Sequence, residues 1–192
     1  MQKMPMCLIL NGPPGSGKDT IADRLVEYGF TKMAFKDQLY VETAQLYDVA
    51  LGDLLEVATD RELKEKVWER TGVSPRQMLI TCSEEVIKPR HGKSFFGDAA
   101  AQRCVEKRAN LAVFSDGGFK EEIVPLREVY EKVIIVRLRR PGFTFEGDSR
   151  TYLCGLPDTM DLLLLESVPE RAVNDLVYIL DPFLGGIDID AA

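Results

Sequence analysis

Gly12-Pro13-Pro14-Gly15-Ser16-Gly17-Lys18-Asp19-Thr20 follows directly on the apolar run Met6-Cys7-Leu8-Ile9-Leu10. Glycines at this density let successive backbone N–H groups turn toward one anion, and a helix that begins at the lysine adds the positive end of its dipole. That helix is expected, because Ile21, Leu25 and Val26 continue one apolar face over residues 19–28. A loop of this kind between a buried strand and a helix implies a polyphosphate ligand, with Lys18 bridging its outer phosphates. The usual residue after the lysine is Ser or Thr; here it is Asp19, and the hydroxyl comes one position later, at Thr20. Thr20 is therefore the expected hydroxyl ligand of a Mg²⁺ that accompanies the polyphosphate.

Leu111-Ala112-Val113-Phe114-Ser115-Asp116 is a second apolar run that ends in a polar pair. Asp116 has two readings: an acid that orients Mg²⁺, directly or through water, or a capping aspartate before Gly117-Gly118. Asp37, which closes the run at 31–35, is either a base for an attacking hydroxyl or the N-cap of the next helix. Arg61, Arg76, Arg90, Arg137, Arg139, Arg140 and Arg150 can offset the negative charge of a phosphoryl group in transfer. Arg61 and Arg76 stand out because of the motifs around them. The catalytic candidates are thus Lys18, Asp37, Asp116 and Arg76. Phe119, Phe143 and Phe145 can stack on a base, Phe119 being a core candidate as well. Two basic clusters, Lys88-Pro89-Arg90-His91-Gly92-Lys93 and Arg137-Leu138-Arg139-Arg140, are either strips for nucleic-acid phosphates or solvated surface.

A chain of 192 residues, 45% hydrophobic and 29% charged, suits one α/β domain over 1–192 with a substantial core. The net charge of −7 argues against broad, non-specific nucleic-acid binding but leaves room for a local basic strip. Cys7, Cys82, Cys104 and Cys154 show no C-x-x-C spacing, so free thiols in a reducing cytoplasm are expected. His91 is the only histidine, which leaves oxygen-bound Mg²⁺ as the expected metal. Neither a signal peptide nor a membrane anchor is expected, and the reading is cytoplasmic.

The elements that must position these residues alternate. Strands are expected at 6–10, 31–35, 111–116, 133–138, 162–165 and 177–180. Helices are expected at 19–28, 38–50, 60–70, 74–87, 96–108, 121–132 and 169–176. Ser74, Pro75 and Gln77 mark a capped helix start, and Pro89 is the expected stop. The stretch 139–157 has no periodicity and is expected to fold over the strand ends. Such alternation predicts an α/β fold, a parallel sheet flanked by helices on both faces, with the ligand at the carboxyl ends of the strands beside Gly12, Asp37 and Asp116.

Several segments carry a family resemblance. Adenylate-kinase-like enzymes show the same displacement of the hydroxyl after the lysine. Gly15-Ser16-Gly17-Lys18-Asp19-Thr20 resembles the phosphate loop of bacteriophage deoxynucleoside monophosphate kinases. Asp60-Arg61-Glu62-Leu63-Lys64-Glu65 and Ser74-Pro75-Arg76-Gln77 are similar to parts of the acceptor-binding region in those kinases; Asp116 through Glu122 and Arg140-Pro141-Gly142 resemble later segments. The resemblance implies a P-loop kinase fold with a helical acceptor-binding insertion at about 38–110, ATP and Mg²⁺ as cofactors, and a deoxynucleotide acceptor. Where those kinases carry Asp-x-Arg, this chain has Asp116-Gly117-Gly118. That departure turns the expectation toward a related phage group that phosphorylates the hydroxymethyl group of 5-hydroxymethyluracil in DNA. Asp37 would then be the base, Gly117 and Gly118 would admit a bulky substrate, and Arg90, Lys93, Arg139 and Arg140 would hold duplex DNA beside Arg61, Arg76 and Phe119. A kinase of free deoxynucleoside monophosphates is the alternative, and a non-catalytic nucleotide-binding regulator is the second. A phage-encoded chain would act in the host cytoplasm.

Overall fold

Strands β1 (Met4–Asn11), β2 (Thr31–Met33), β3 (Leu111–Phe114), β4 (Tyr130–Arg139) and β5 (Thr159–Leu163) form one sheet. Their order is β2-β3-β1-β4-β5 and every pairing is parallel. The computed structural model describes residues 2–148, 150–164 and 169–184. Parallel strands covered on both faces must be apolar throughout, and β1 is: Met6, Leu8 and Leu10 enter one core layer, Cys7 and Ile9 the other. Helices α1 (Lys18–Val26) and α8 (Pro169–Leu184) cover the first face; α6 (Phe95–Glu106) and α7 (Lys120–Val129) cover the second. Among the described residues no helix is long and apolar enough to cross a membrane.

Between β2 and β3 the chain runs through a series of helices. They include α2 (Lys36–Leu46), α3 (Leu51–Thr59), α4 (Pro75–Ile80), a π-helical segment (Thr81–Ile87), α5 (Lys88–His91) and α6. Tyr40, Ala44, Leu54, Ala58 and Met78 give this series a core of its own, against which Trp68 packs.

The structure corrects several expected elements. The helix expected at 38–50 ends at Leu46; Asp48 takes a left-handed conformation (φ 49°), and a separate helix, α3, follows. Residues 60–70 are not a helix. Asp60 Oδ1 accepts from the amides of Glu62 and Leu63 at 2.8 Å, a local bond that competes with helix formation and leaves only a 3₁₀ turn at Leu63–Glu65. Ser74 caps α4 as expected, its side chain accepting from Gln77 N. Pro89 does not stop that helix, because it falls in the first turn of α5, where its missing N–H matters least; Gly92 (φ 93°) ends the run. The helix expected at 121–132 gives way to β4 already at Tyr130. The strand expected at 162–165 begins earlier, at Thr159, and Leu165 lies outside the described residues. Val177–Leu180 belong to α8, where Val173, Leu176 and Leu180 share a buried helical face in the core layer that also contains Ile21 and Leu25 of α1. A β-branched run thus yields to helical packing.

Candidate functional site

The phosphate loop leaves β1 at the middle of the sheet and turns into α1. Gly15 (φ 73°) and Gly17 (φ 100°) adopt backbone angles that other residues rarely reach, and a Cβ on Gly12 would lie 2.8 Å from Ser16 Oγ. Lys18 is buried, and its ammonium donates to the carbonyls of Gly12 and Pro13 at 2.7 Å each. Burial, then the Arg150 guanidinium, lower the Lys18 pKa to about 8, so an incoming anion would meet an incompletely neutralised cation pair. Ser16 Oγ is buried and has no hydrogen-bond partner among the described residues, an unsatisfied donor inside the loop. Phe143 covers Gly15, and Arg140 stacks on Phe143 at 4.3 Å while donating to the Gly15 carbonyl at 3.1 Å.

Beside the loop, a cleft of about 460 Å³ is lined by Lys18, Lys36, Arg61, Lys64, Arg76 and Arg150, with only Asp19 and Asp116 of opposite sign. In a chain of net charge −7, this concentration of cations suits a polyanion. Asp19, Ser115 and Asp116 bring side-chain oxygens to the cleft, as do Tyr40 and Thr59. Ser115 Oγ donates to Asp19 Oδ1 at 2.7 Å and Lys32 approaches the same oxygen at 3.3 Å. Burial alone would raise the Asp19 carboxyl, but these two partners hold it below its ordinary value. Thr20, the expected hydroxyl ligand, is exposed and does not line the cleft.

Asp116 lines the cleft and also caps a helix, though not the one that follows it in the chain. Its carboxylate accepts from the amides of Phe35 (3.2 Å) and Lys36 (3.0 Å), so it caps α2 from a distant strand. Asp37 is therefore not the cap of α2, and it lines neither this cleft nor the cavity next to it. Burial raises the Asp116 carboxyl in spite of those two amides.

The cleft opens into a second cavity of about 320 Å³ under α2 and α4, and Lys36, Arg76, Leu79, Asp116 and Arg150 line both. Phe35, Leu39, Ile80, Phe96 and Phe119 supply its apolar walls; Ser83, Glu84, Lys88 and Glu122 supply the polar ones. The wide turns of the π-helical segment carry Ser83 and Glu84 to this cavity, a common use of such turns at functional sites. Phe119 is half-buried on the wall, with the Lys88 ammonium 4.6 Å from its ring centre.

Arg150 is the residue that sequence reasoning undervalued. Asn11, fully buried at the end of β1, donates to the carbonyls of Gly117 and Thr151 and accepts from Leu153 N, pinning the segment after Arg150 across the strand ends. Arg150 then forms a two-pronged pair with Asp148 (2.9 and 2.7 Å) and lies across Gly118, where any Cβ would collide with its side chain. Gly117 is packed in the same way on Ile9. The two glycines therefore make room for internal side chains, not for a bulky substrate, and the Arg150 side chain fills the space that a side chain at 118 would enter. The local signal was the pair Gly117-Gly118; its spatial partner was not visible.

The expected basic strip does not form. Arg137 and Arg139 are both paired with Asp161 (2.6 and 2.7 Å), and Arg139 stacks on Tyr152 at 3.6 Å. Lys88 turns into the second cavity and pairs with Glu84 at 2.5 Å; Arg90 and Lys93 are exposed and line neither cavity. Arg140 belongs to the phosphate loop. Arg61 lines the cleft without an ion pair among the described residues, and Arg76 lines it with Glu65 3.3 Å away.

No family model matches the sequence. An adenylate kinase of Carboxydothermus hydrogenoformans is 30% identical over 150 residues, which are 73% of this chain and 64% of that protein, so the chain spans under two thirds of this relative's length. An unliganded sugar kinase from Janibacter sp. HTCC2649 has a similar fold: TM-score 0.50, 15% identity, 92% of this chain and 94% of that one covered. A gluconokinase from Sinorhizobium meliloti 1021 aligns over 94% of this chain and 98% of its own, with TM-score 0.49 and 14% identity. The five-stranded parallel sheet, the helices on both faces and the phosphate loop after β1 are those of the α/β P-loop kinase fold.

Proposed function

We propose that the chain is an ATP- and Mg²⁺-dependent kinase that transfers the γ-phosphate to a free deoxynucleoside monophosphate. The observation that carries this reading is the continuity of the cation-rich cleft with an apolar-walled cavity through the shared wall of Lys36, Asp116, Arg76 and Arg150. Lys36, Arg61 and Arg76 lie beyond what one polyphosphate requires of Lys18, and suit a second phosphate carried by the acceptor. Arg150 supplies the guanidinium that the Asp-Gly-Gly sequence lacks, which removes the main reason for preferring an alcohol in DNA. The self-paired Arg137, Arg139 and Lys88 argue in the same direction.

The residues would act as follows. Backbone amides of residues 12–20 cradle the donor's phosphates, and Lys18 exchanges the carbonyls of Gly12 and Pro13 for phosphate oxygens. Arg140 and Phe143 flank the loop where the donor's base would enter. Asp19, Ser115 and Asp116 are hard oxygen donors that suit Mg²⁺ held partly through its waters. When bound, Mg²⁺ neutralises charge on the phosphates. Arg150 and Arg76, lying between the two cavities, offset charge on the transferring group. An acceptor phosphate is already ionised, so no general base is needed, in keeping with Asp37 lying outside both cavities.

The test is a paired transfer assay with γ-labelled ATP. One arm offers natural and 5-hydroxymethylated deoxynucleoside monophosphates; the other offers duplex DNA containing 5-hydroxymethyluracil, with thymine DNA as control. Label on the monophosphates, with little dependence on salt, is expected. Label on the modified DNA alone, falling steeply with salt, would overturn the acceptor assignment. Tight ATP binding without turnover in either arm would favour a nucleotide-binding regulator.

A further inference from the structure

At the inner end of the second cavity, Glu122 is 7% exposed and makes no side-chain hydrogen bond or ion pair among the described residues. Its position is set by close packing: a Cβ on Gly97 of α6 would collide with the Glu122 backbone, so the two helices touch at this point. Its carboxyl oxygens are not fully enclosed, so the group is open to the cavity and can bond what enters there. The walls facing it, Phe35, Leu39, Ile80, Phe96 and Phe119, are broad and apolar and suit the faces of a flat ring.

We propose that Glu122 reads the polar edge of a nucleobase seated in this cavity. The inference rests on the kinase reading above and names the part of the acceptor that the cavity recognises. Burial first, then the Asp116 charge, push the Glu122 carboxyl up to about 8, against the opposing charges of Lys88 and Arg150 and with Glu121 adding to the rise. The other acids at this cavity are Glu84, Asp116 and Asp148, with Lys88 paired to Glu84 and Arg150 to Asp148; Lys36 and Arg76 complete its charged lining. At neutral pH Glu122 therefore presents an O–H donor beside a C=O acceptor, the same pattern as a carboxamide. Each nucleobase has an edge that matches it: a ring N–H beside a carbonyl, or a ring nitrogen beside an exocyclic amine. A sugar phosphate without a base would leave Glu122 unpaired and the apolar walls uncovered.

The test compares wild type with Glu122→Leu and Glu122→Gln, using dTMP, dCMP, dAMP and dGMP as acceptors and 2-deoxyribose 5-phosphate as the base-less control. Glu122→Leu should raise the acceptor KM about 30-fold or more while leaving the KM for ATP in place. Glu122→Gln keeps the donor–acceptor pattern and should recover most of that loss, to within about threefold. Wild-type acceptor affinity should fall about tenfold per pH unit above about 8, and the Gln variant should lack that component. Lys18 titrates alike in both proteins, so the difference between their profiles isolates Glu122. A Leu variant with unchanged acceptor KM, or a base-less sugar phosphate bound as tightly as the nucleotides, would overturn the proposal. Equilibrium dialysis of the same nucleotides separates the two readings: absent transfer refutes the kinase assignment, whereas base binding lost in the Leu variant still supports the role of Glu122. Absence of any nucleotide binding at the cavity refutes that role.

Discussion

The cleft beside the phosphate loop and the proposed acceptor cavity share a wall, but loop and cavity are assembled from the chain in different ways. The loop uses nine consecutive residues, 12–20, and its working groups are mostly backbone amides held by two glycines in left-handed conformations. The cavity draws Phe35, Ile80, Phe96 and Arg150 from separate parts of the chain, and Phe119 and Glu122 from the start of α7, and works through side chains. A donor site of the first kind is common to any polyphosphate. One of the second kind can be altered without touching the donor site, and on the proposed function this is where an acceptor is selected.

Substitutions can break this division or sharpen it. Lys18→Ala removes the cation common to binding and transfer, and steady-state kinetics should show turnover down about 10³-fold or more for every acceptor. Substantial residual turnover would place the chemistry elsewhere. Arg150→Ala strikes the shared wall and should lower kcat/KM about 10²-fold, with Arg150→Lys a poor substitute because the paired guanidinium geometry is lost. An effect confined to the KM of one substrate would show that Arg150 serves one side only. Gly118→Val displaces Arg150 without removing it and should cost about tenfold in the same parameter. No effect would show that the position of Arg150 over Gly118 is unimportant.

A smaller effect concerns stability. Glu122 holds its proton up to about 8 in the folded chain, while the unfolded chain releases it near the ordinary carboxyl value of 4.5. Between these values the unfolded state binds fewer protons, so wild-type stability should fall as pH rises, by up to about 1.4 kcal/mol per unit from this group. Glu122→Gln removes that slope: in urea melts it should exceed wild type by a few kcal/mol near pH 7.5, converging below about pH 4.5. Parallel curves for the two proteins would mean that Glu122 is ionised in the folded state. The smallest change is expected for Asp37→Asn, which should alter kcat by less than about threefold because Asp37 faces neither cavity. A loss near 10²-fold would restore it as a general base and with it an alcohol acceptor.

The alternation of apolar runs and amphipathic segments made a parallel α/β sheet legible, since strands buried on both faces must be apolar along their length. Met6–Leu10, Leu111–Phe114 and Val133–Leu138 could hardly be placed otherwise. Local rules failed where another part of the molecule intervened. The Val177–Leu180 run reads as a strand by composition, yet α8 packs it as a helix on the layer built by α1 and β1. Asp37 reads as the cap of the following helix, yet Asp116, far along the chain, supplies that cap. The charged segment 60–70 reads as a helix, yet the Asp60 side chain bonds its own backbone first.

By itself, then, the sequence determined the donor half: the spacing of Gly12, Gly15, Gly17 and Lys18 specifies an anion cradle because neighbouring backbone amides and the start of one helix suffice to build it. Tertiary structure alone decided the proposed acceptor half. Whether Arg150 reaches over Gly118, whether Glu122 lies buried at the end of a cavity and whether Arg139 is free or bound to Asp161 depend on how distant segments cross at the carboxyl edge of the sheet. No local pattern encodes those meetings, because each requires the packing of the whole sheet to bring its partners together.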